Sequence, residues 1–275
     1  MYSWRDFGYY AAMVVGVYGL GRFGSFWASV LARHFPVKGY SRTAERQVPS
    51  GVERASEDEV LQCDVLFLAV AISAMDEVLR RIGPKIGNGT IVFDTCSVKM
   101  YPIELMKKHL APQVQVIGTH PMFGPDSGRN GVEGLPIVFC PVRVGEAKAE
   151  EWRQLFRSMG LQVKDLTAEE HDREVAFTQG ITHFIGRVLE DLNLHPSEIA
   201  TIGYAKLLEI IEQTCNDPWQ LFVDLQRFNP YTADMRVALF TSLKKIKESL
   251  ESSLDSDAET ASNAADAQKV RGRSR

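Results

Sequence analysis

Short apolar runs alternate with amphipathic stretches through the first 166 residues of the chain. Met13–Tyr18, Val37–Tyr40, Val65–Val70, Ile91–Asp94, Val114–Gly118 and Pro136–Val144 have strand length and β-branched content, and helical patterns fall between most of them. That alternation predicts an α/β fold with a Rossmann-type, doubly wound, mostly parallel sheet covered by helices on both faces. After Leu166 the pattern changes. Ala168–Leu192, Ser197–Cys215, Pro218–Phe228 and Pro230–Leu250 read as helices with no strand among them. Thr167 before Ala-Glu-Glu suits a helix cap, Pro218 a first turn, and Asn229-Pro230 a boundary. The expected division is therefore 1–166 for the sheet domain, 167–250 for an all-helical C-terminal domain, and 251–275 for a disordered tail rich in Ser, Ala, Asp and Glu.

Composition narrows the function. With 31 basic and 35 acidic residues, a formal charge of −4 and both signs spread along the chain, no sustained positive face is expected for nucleic acid or an anionic membrane. A small-molecule partner is favoured. The four cysteines (Cys63, Cys96, Cys140, Cys215) lie far apart and form no CxxC or Cys/His cluster, so no metal is expected and reduced thiols in a cytoplasmic protein are the default. No stretch approaches the ~20 apolar residues of a membrane helix. The first dozen residues carry Arg5 and Asp6 among aromatics and lack a signal-peptide core, and Met13 is an alternative start.

The most specific local signal is Gly19-Leu20-Gly21-Arg22-Phe23-Gly24, a G-x-G-x-x-G run between the first predicted strand and a helix. Gly19 permits a tight turn, Gly21 leaves backbone open to a pyrophosphate, and Gly24 lets helix and strand approach, while the helix N-terminus offers N–H groups to phosphate. The next strand ends in Tyr40-Ser41-Arg42-Thr43. A site for NAD usually places a carboxylate there to bind the ribose hydroxyls. Ser41 stands in that place, with Arg42 able to pair with a 2′-phosphate and Thr43 able to donate a hydrogen bond, so NADP is the expected cofactor and NAD the second choice.

Two further segments follow strands at the ligand-binding side of such a sheet: Asp94-Thr95-Cys96-Ser97-Val98-Lys99 and Gly118-Thr119-His120-Pro121-Met122-Phe123-Gly124-Pro125-Asp126-Ser127-Gly128. A neutral imidazole at a strand end suits removal of a hydroxyl proton while hydride leaves the same carbon, which makes His120 the candidate base. Ser97 is compatible with an N-cap as well as with a catalytic role. Lys99 is read either as a solvated lysine or as a neutraliser of an acidic substrate or a cofactor phosphate.

Both segments resemble the prephenate/arogenate dehydrogenase family, which carries Ser-x-Lys after one strand and His-Pro-Met-Phe-Gly-Pro after a later one. Glu170-His171-Asp172, His183-Phe184 and Asp217-Pro218 extend the resemblance over roughly residues 13 to 250. It implies oxidative decarboxylation of prephenate or arogenate, with hydride passing to NAD(P) on the way to tyrosine. It further implies that His120 hydrogen-bonds the ring hydroxyl, that Ser97 supports the same hydroxyl, and that His183 belongs to the substrate pocket. From its place in the apolar helix Phe177–Leu189 alone, His183 would be a core histidine. Gln179 lies one turn earlier on the same face, and for His171 a role in domain packing serves equally well. One departure stands out: the arginine expected shortly before the Asp-Pro turn is replaced by Glu209-Ile210-Ile211-Glu212-Gln213-Thr214, leaving Lys206, Arg187, Arg227 or Arg236 to supply the cation. The rival readings are another hydroxyacid or imine oxidoreductase of the same architecture, and an NADP-binding sensor without turnover. A helical domain of about 85 residues with several apolar faces further predicts a homodimer.

Overall fold

The computed structural model describes the backbone of residues 13–272 and the side chains of residues 13–254; the Arg5/Asp6 segment, Arg273 and Arg275 lie outside the described residues. Eight strands form one sheet: β1 (Val15–Tyr18), β2 (Val37–Tyr40), β3 (Val52–Arg54), β4 (Val65–Leu68), β5 (Ile91–Asp94), β6 (Gln115–Pro121), β7 (Pro136–Arg143) and β8 (Gln162–Asp165). Their order is β3-β2-β1-β4-β5-β6-β7-β8. All neighbours are parallel except β6 and β7. The chain therefore reverses its direction of winding between β1 and β4, where a crevice opens at the carboxyl ends of the strands.

The sheet helices are α1 (Arg22–Leu31), α2 (Glu57–Leu61), α3 (Met75–Ile82), α4 (Met100–His109) and α5 (Glu146–Ser158). Central strands are buried on both faces and alternate between two cores. Phe67, Phe93 and Phe139 pack with Trp27, Trp152 and Phe156 on one side, whereas Leu66, Leu68, Val92 and Val138 pack with Leu79, Ile82 and Met106 on the other. Continuous apolar runs such as Val65–Leu68 are the signature of strands covered on both faces.

Helices follow: α6 (Ala168–Val175), a π-helical segment Ala176–Gly180, α7 (Ile181–Asp191), α8 (Ile202–Cys215), α9 (Trp219–Phe228) and α10 (Thr232–Gly272). Thr167 and Glu170 form a reciprocal capping box that starts α6. Among the described residues none of the helices is long and apolar enough to cross a membrane.

The chain falls into two compact units, Met1–Thr232 and Ala233–Arg275. The division expected from sequence at residues 166 and 250 instead follows the change from alternating strands to helices. Helices α6 to α9 share a unit with the sheet because polar side chains tie them to it: Asp172 to the start of α4, and Asp224 to Ser73. Where a tail was expected from Glu251, α10 continues to Gly272. No glycine or proline interrupts the stretch after Pro230 before Gly272, and its Ala, Glu, Lys and Leu content favours helix.

Candidate active site

The glycine-rich turn lies at the winding reversal. Gly19 has φ of 105°, and a Cβ there would sit 2.4 Å from the carbonyl oxygen of Ala69 after β4. A Cβ on Gly24 would lie 1.8 Å from the oxygen of Gly19, so helix α1 can start against the turn only without one. At Gly21 a Cβ would meet nothing within 4 Å. That open face, together with an α1 N-terminus that has no side-chain cap and no acidic residue in its first turn, fits a dinucleotide pyrophosphate.

The six residues of the turn differ in what they offer. Leu20 is fully buried in the core, and Phe23 packs against Phe26 and Trp27, so both leave only backbone to a ligand. Arg22 is paired with Asp126 at 2.5 Å and with Asp217 at 2.7 Å. It thereby ties the glycine turn to the loop after β6 and to the turn before α9. Beyond β2, Arg42 and Thr43 are exposed and Ser41 is half-buried. Ser41 Oγ accepts the Thr43 N–H at 3.2 Å.

His120 sits near the end of β6, in register with Val138 of the antiparallel β7, and is 3% exposed. The following loop is held against α1 by Phe123, whose ring meets Phe26 edge-on. The loop after His120 and the glycine turn therefore share one scaffold. Nδ1 of His120 lies 2.8 Å from Nε2 of His171, and Nδ1 of His171 lies 2.8 Å from Oδ1 of Asp172. Burial, with His171, Lys99 and His183 nearby, holds the His120 imidazole well below its usual pKa. At neutral pH it is an uncharged base.

Ser97, in the turn after β5, is 5% exposed and its hydroxyl has no partner among the described residues. It caps no helix: α4 begins from Lys99 without a side-chain cap. Lys99 is not solvated either. It is fully buried, with Nζ on the Asp94 carboxylate and donating to the Thr119 carbonyl at 2.5 Å. This ammonium is used in holding the ends of β5 and β6 together, which removes it from the candidates for meeting substrate or phosphate.

Among the described residues five more buried polar atoms lack partners: Trp27 Nε1 and Asp94 Oδ2 in the sheet unit, and, one turn apart along the same helical stretch, Gln179 Oε1, His183 Nδ1 and Arg187 Nε. Buried polar groups are normally satisfied, so a cluster of orphans points to a ligand. Gln179 belongs to the π-helical segment, a feature frequent at functional sites, and His183 follows on α7. Burial, and then the charge of Arg187, push His183 down to about 4. Among the four basic residues considered from sequence, Lys206 and Arg227 are exposed. Arg187 is mostly buried, on the same helix as His183, with its other nitrogens donating to Glu190 and to the carbonyls of Thr214 and Asp217. Sequence reasoning offered it only as one of four. A surface groove of about 550 Å³ lined by Ile103, Cys140, Leu166 and Thr167 contains none of these residues, so the site is recognised by its chemistry and not by concavity.

Residues 33–163 match the family model for the prephenate dehydrogenase nucleotide-binding domain, and residues 188–262 match that for a TYRAAT1-like C-terminal domain. The chain is 32% identical over 252 residues to arogenate dehydrogenase 2, chloroplastic, of Arabidopsis thaliana, covering 87% of this chain and 70% of that protein. It is 30% identical over 248 residues to arogenate dehydrogenase 1, chloroplastic, of the same plant, covering 86% of this chain and 39% of that one. A crystal structure of prephenate dehydrogenase from A. aeolicus in complex with hydroxyphenyl propionate and NAD+ has the same fold, with a TM-score of 0.67 at 16% identity over 86% of this chain and 90% of that one.

Proposed function

The chain belongs to the prephenate and arogenate dehydrogenase family, and we propose that it oxidatively decarboxylates a cyclohexadienyl acid in tyrosine biosynthesis, with arogenate preferred over prephenate and NADP over NAD. The observation that carries this reading is a buried His120 whose following loop packs against the helix of the glycine turn, with the unpaired hydroxyl of Ser97 and the unpaired atoms of Gln179, His183 and Arg187 as its companions. A core built only for stability would leave fewer polar atoms without partners.

The nicotinamide ring, when bound, accepts hydride from the carbinol carbon of the substrate. His120 takes the proton of the hydroxyl on that carbon, and Ser97 holds the same oxygen in place. The opposite ring carbon then loses CO₂, the electron pair of the broken bond enters the ring, and His120 returns its proton to the oxygen of the aromatic product. Proton count is unchanged across the step, so one neutral imidazole suffices. Gln179 and His183 contact the substrate, and Arg187 meets one of its carboxylates. No metal or covalent nucleophile is required, since aromatisation supplies the driving force.

Arogenate is favoured by the two Arabidopsis relatives and by the absence of an arginine in Glu209–Thr214. NADP is favoured by Arg42, which is exposed and has no protein partner among the described residues, and by Ser41 in place of a carboxylate. The four free cysteines suit a compartment that keeps thiols reduced, and the cytoplasm is the one we propose. The test is an assay of reduced-nicotinamide absorbance with both acids and both cofactors. Turnover of arogenate with NADP is expected; binding of NADP without turnover of either acid would favour the sensor reading.

A further inference from the structure

The base of the proposed reaction is backed by two residues that are both fully buried. His120, His171 and Asp172 are all buried and linked end to end by the two 2.8 Å contacts. The order of donors along this chain follows from its far end. Asp172 Oδ1 accepts the Lys99 N–H at 2.6 Å and Oδ2 accepts the Met100 N–H at 2.9 Å, so its carboxylate caps α4, a ten-residue helix with no side-chain cap of its own. Two N–H bonds at a helix N-terminus favour the anion. Burial works against them and raises the Asp172 pKa, but both oxygens remain committed as acceptors. An acceptor at Oδ1 requires Nδ1 of His171 to carry hydrogen. Neutral His171 then has a bare Nε2, which accepts from Nδ1–H of His120 and leaves Nε2 of His120 with its lone pair free.

We propose that His171 and Asp172 are positioning residues that hold His120 in the Nδ1–H tautomer, aim its Nε2 at the substrate hydroxyl, and stabilise the imidazolium that forms when it takes the proton. The proposal rests on His120 being the base. Local sequence explains the construction. The Thr167 and Glu170 capping box fixes where α6 begins, which turns His171 and Asp172 toward β6 and α4. Asn229 donates to the Asp172 carbonyl at 2.7 Å and secures the helix from its other side. His171 itself is held at about 2 by burial and the nearby Lys99 ammonium, so it transmits a hydrogen bond and not a charge.

The groups facing His120 are His171 and Asp172 from α6, His183 from α7, and Lys99 before α4 with its partner Asp94. Of these, Asp172 is the anion lined up with the imidazole. Replacing it by asparagine keeps the shape and removes the charge. Asp172→Asn is expected to lower kcat roughly 10–100-fold, the scale for outer partners of a functional histidine, and to move the acid limb of kcat/KM to lower pH. His171→Gln keeps an acceptor for His120 and is expected to retain more activity than His171→Leu.

Nitrogen-15 NMR of the imidazoles in the wild-type protein, with His120 assigned through a His120→Asn variant, reads the tautomer directly. A protonated Nδ1 and bare Nε2 on His120 are expected, and protonation at Nε2 would overturn the proposal. So would variants whose acid limb stays in place and in which Gln and Leu at 171 lose equally. Because the wild-type tautomer is read without turnover, failure of both acids as substrates would sink the proposed reaction while the relay is still decided on its own measurement.

Discussion

A base at a strand end has to remain neutral while surrounded by polar neighbours, and at His120 burial does most of that work. The nearby Lys99 ammonium adds to it, since a positive charge opposes a second one on the imidazole. The sign of the pH effect follows. With its pKa depressed below the ordinary ~6.5, His120 keeps its lone pair to more acidic pH than a free histidine, so the acid limb of kcat/KM is expected below pH ~6.5. His120→Asn removes the basicity and is expected to lower kcat by roughly 10²–10⁴ with NADP binding retained, because the cofactor contacts proposed are with Gly19–Gly24 and Ser41–Thr43. Steady-state kinetics with a fluorescence titration of NADP checks both halves; near-normal turnover would move the base elsewhere. At Arg42 the issue is charge pairing alone. Exposed and without a protein partner among the described residues, it can give about 1.5–3 kcal/mol to a 2′-phosphate. Ser41→Asp with Arg42→Ala is expected to reverse the ratio of KM values for NADP and NAD, and an unchanged ratio would remove Arg42 from the site.

Helices α7 and α8 show how one missing side chain sets the spacing of an element that carries His183 and Arg187. A Cβ on Gly186 would lie 2.0 Å from Oγ1 of the buried Thr214. His183 and Arg187 flank that contact on α7, so pushing the helices apart displaces both. Gly186→Ala is expected to cost about 1–3 kcal/mol by denaturant melting and to raise KM for the acid substrate. Thr214→Ala in the same chain is expected to recover part of each, and no recovery would place the strain elsewhere. The elements themselves were unequally legible from sequence. Six strands were visible because most of their residues are apolar and buried, as in Val65–Leu68. The strands β3 and β8 were not, since Val-Glu-Arg and Gln-Val-Lys-Asp are sheet edges with mostly polar, exposed side chains. The π-helical turn at Ala176–Gly180 has no periodicity of its own that would separate it from the helix on either side. In the site, the glycine turn, Ser97 and His120 stand in contiguous motifs and could be read. The pairings Arg22 with Asp126 and Asp217, and His120 with His171, join residues far apart in the chain, and nothing in local pattern marks them.

At the scale of the whole molecule, the single chain leaves a row of apolar side chains in water. On α10, Leu243, Ile246, Leu250 and Leu254 recur at intervals of three and four, which puts them on one face, and each is more than half exposed. Lys244 pairs with Glu248 and Lys247 with Glu251 beside that row, so both signs of charge flank it. A face with an apolar centre and mixed-sign margins can meet itself across a twofold axis, and a second copy of this chain is the occupant expected. Side chains of this kind contribute about 1.5–3 kcal/mol each when fully buried, and four from each copy outweigh the lower part of the estimated association cost of about 4–15 kcal/mol. Sedimentation velocity at micromolar concentration is therefore expected to give twice the chain mass. Ile246→Glu with Leu250→Glu puts like charges at the centre of the self-pairing face. That variant is expected to sediment as a monomer, with its dissociation constant raised by at least roughly 100-fold, while the sheet unit, Met1–Thr232, keeps its far-ultraviolet spectrum and binding of NADP. A wild-type monomer would show that this row serves another purpose. A dimer that survives both glutamates would move the interface off α10, to the apolar residues exposed in the first unit, among them Leu192, Ile199, Ile202 and Trp219.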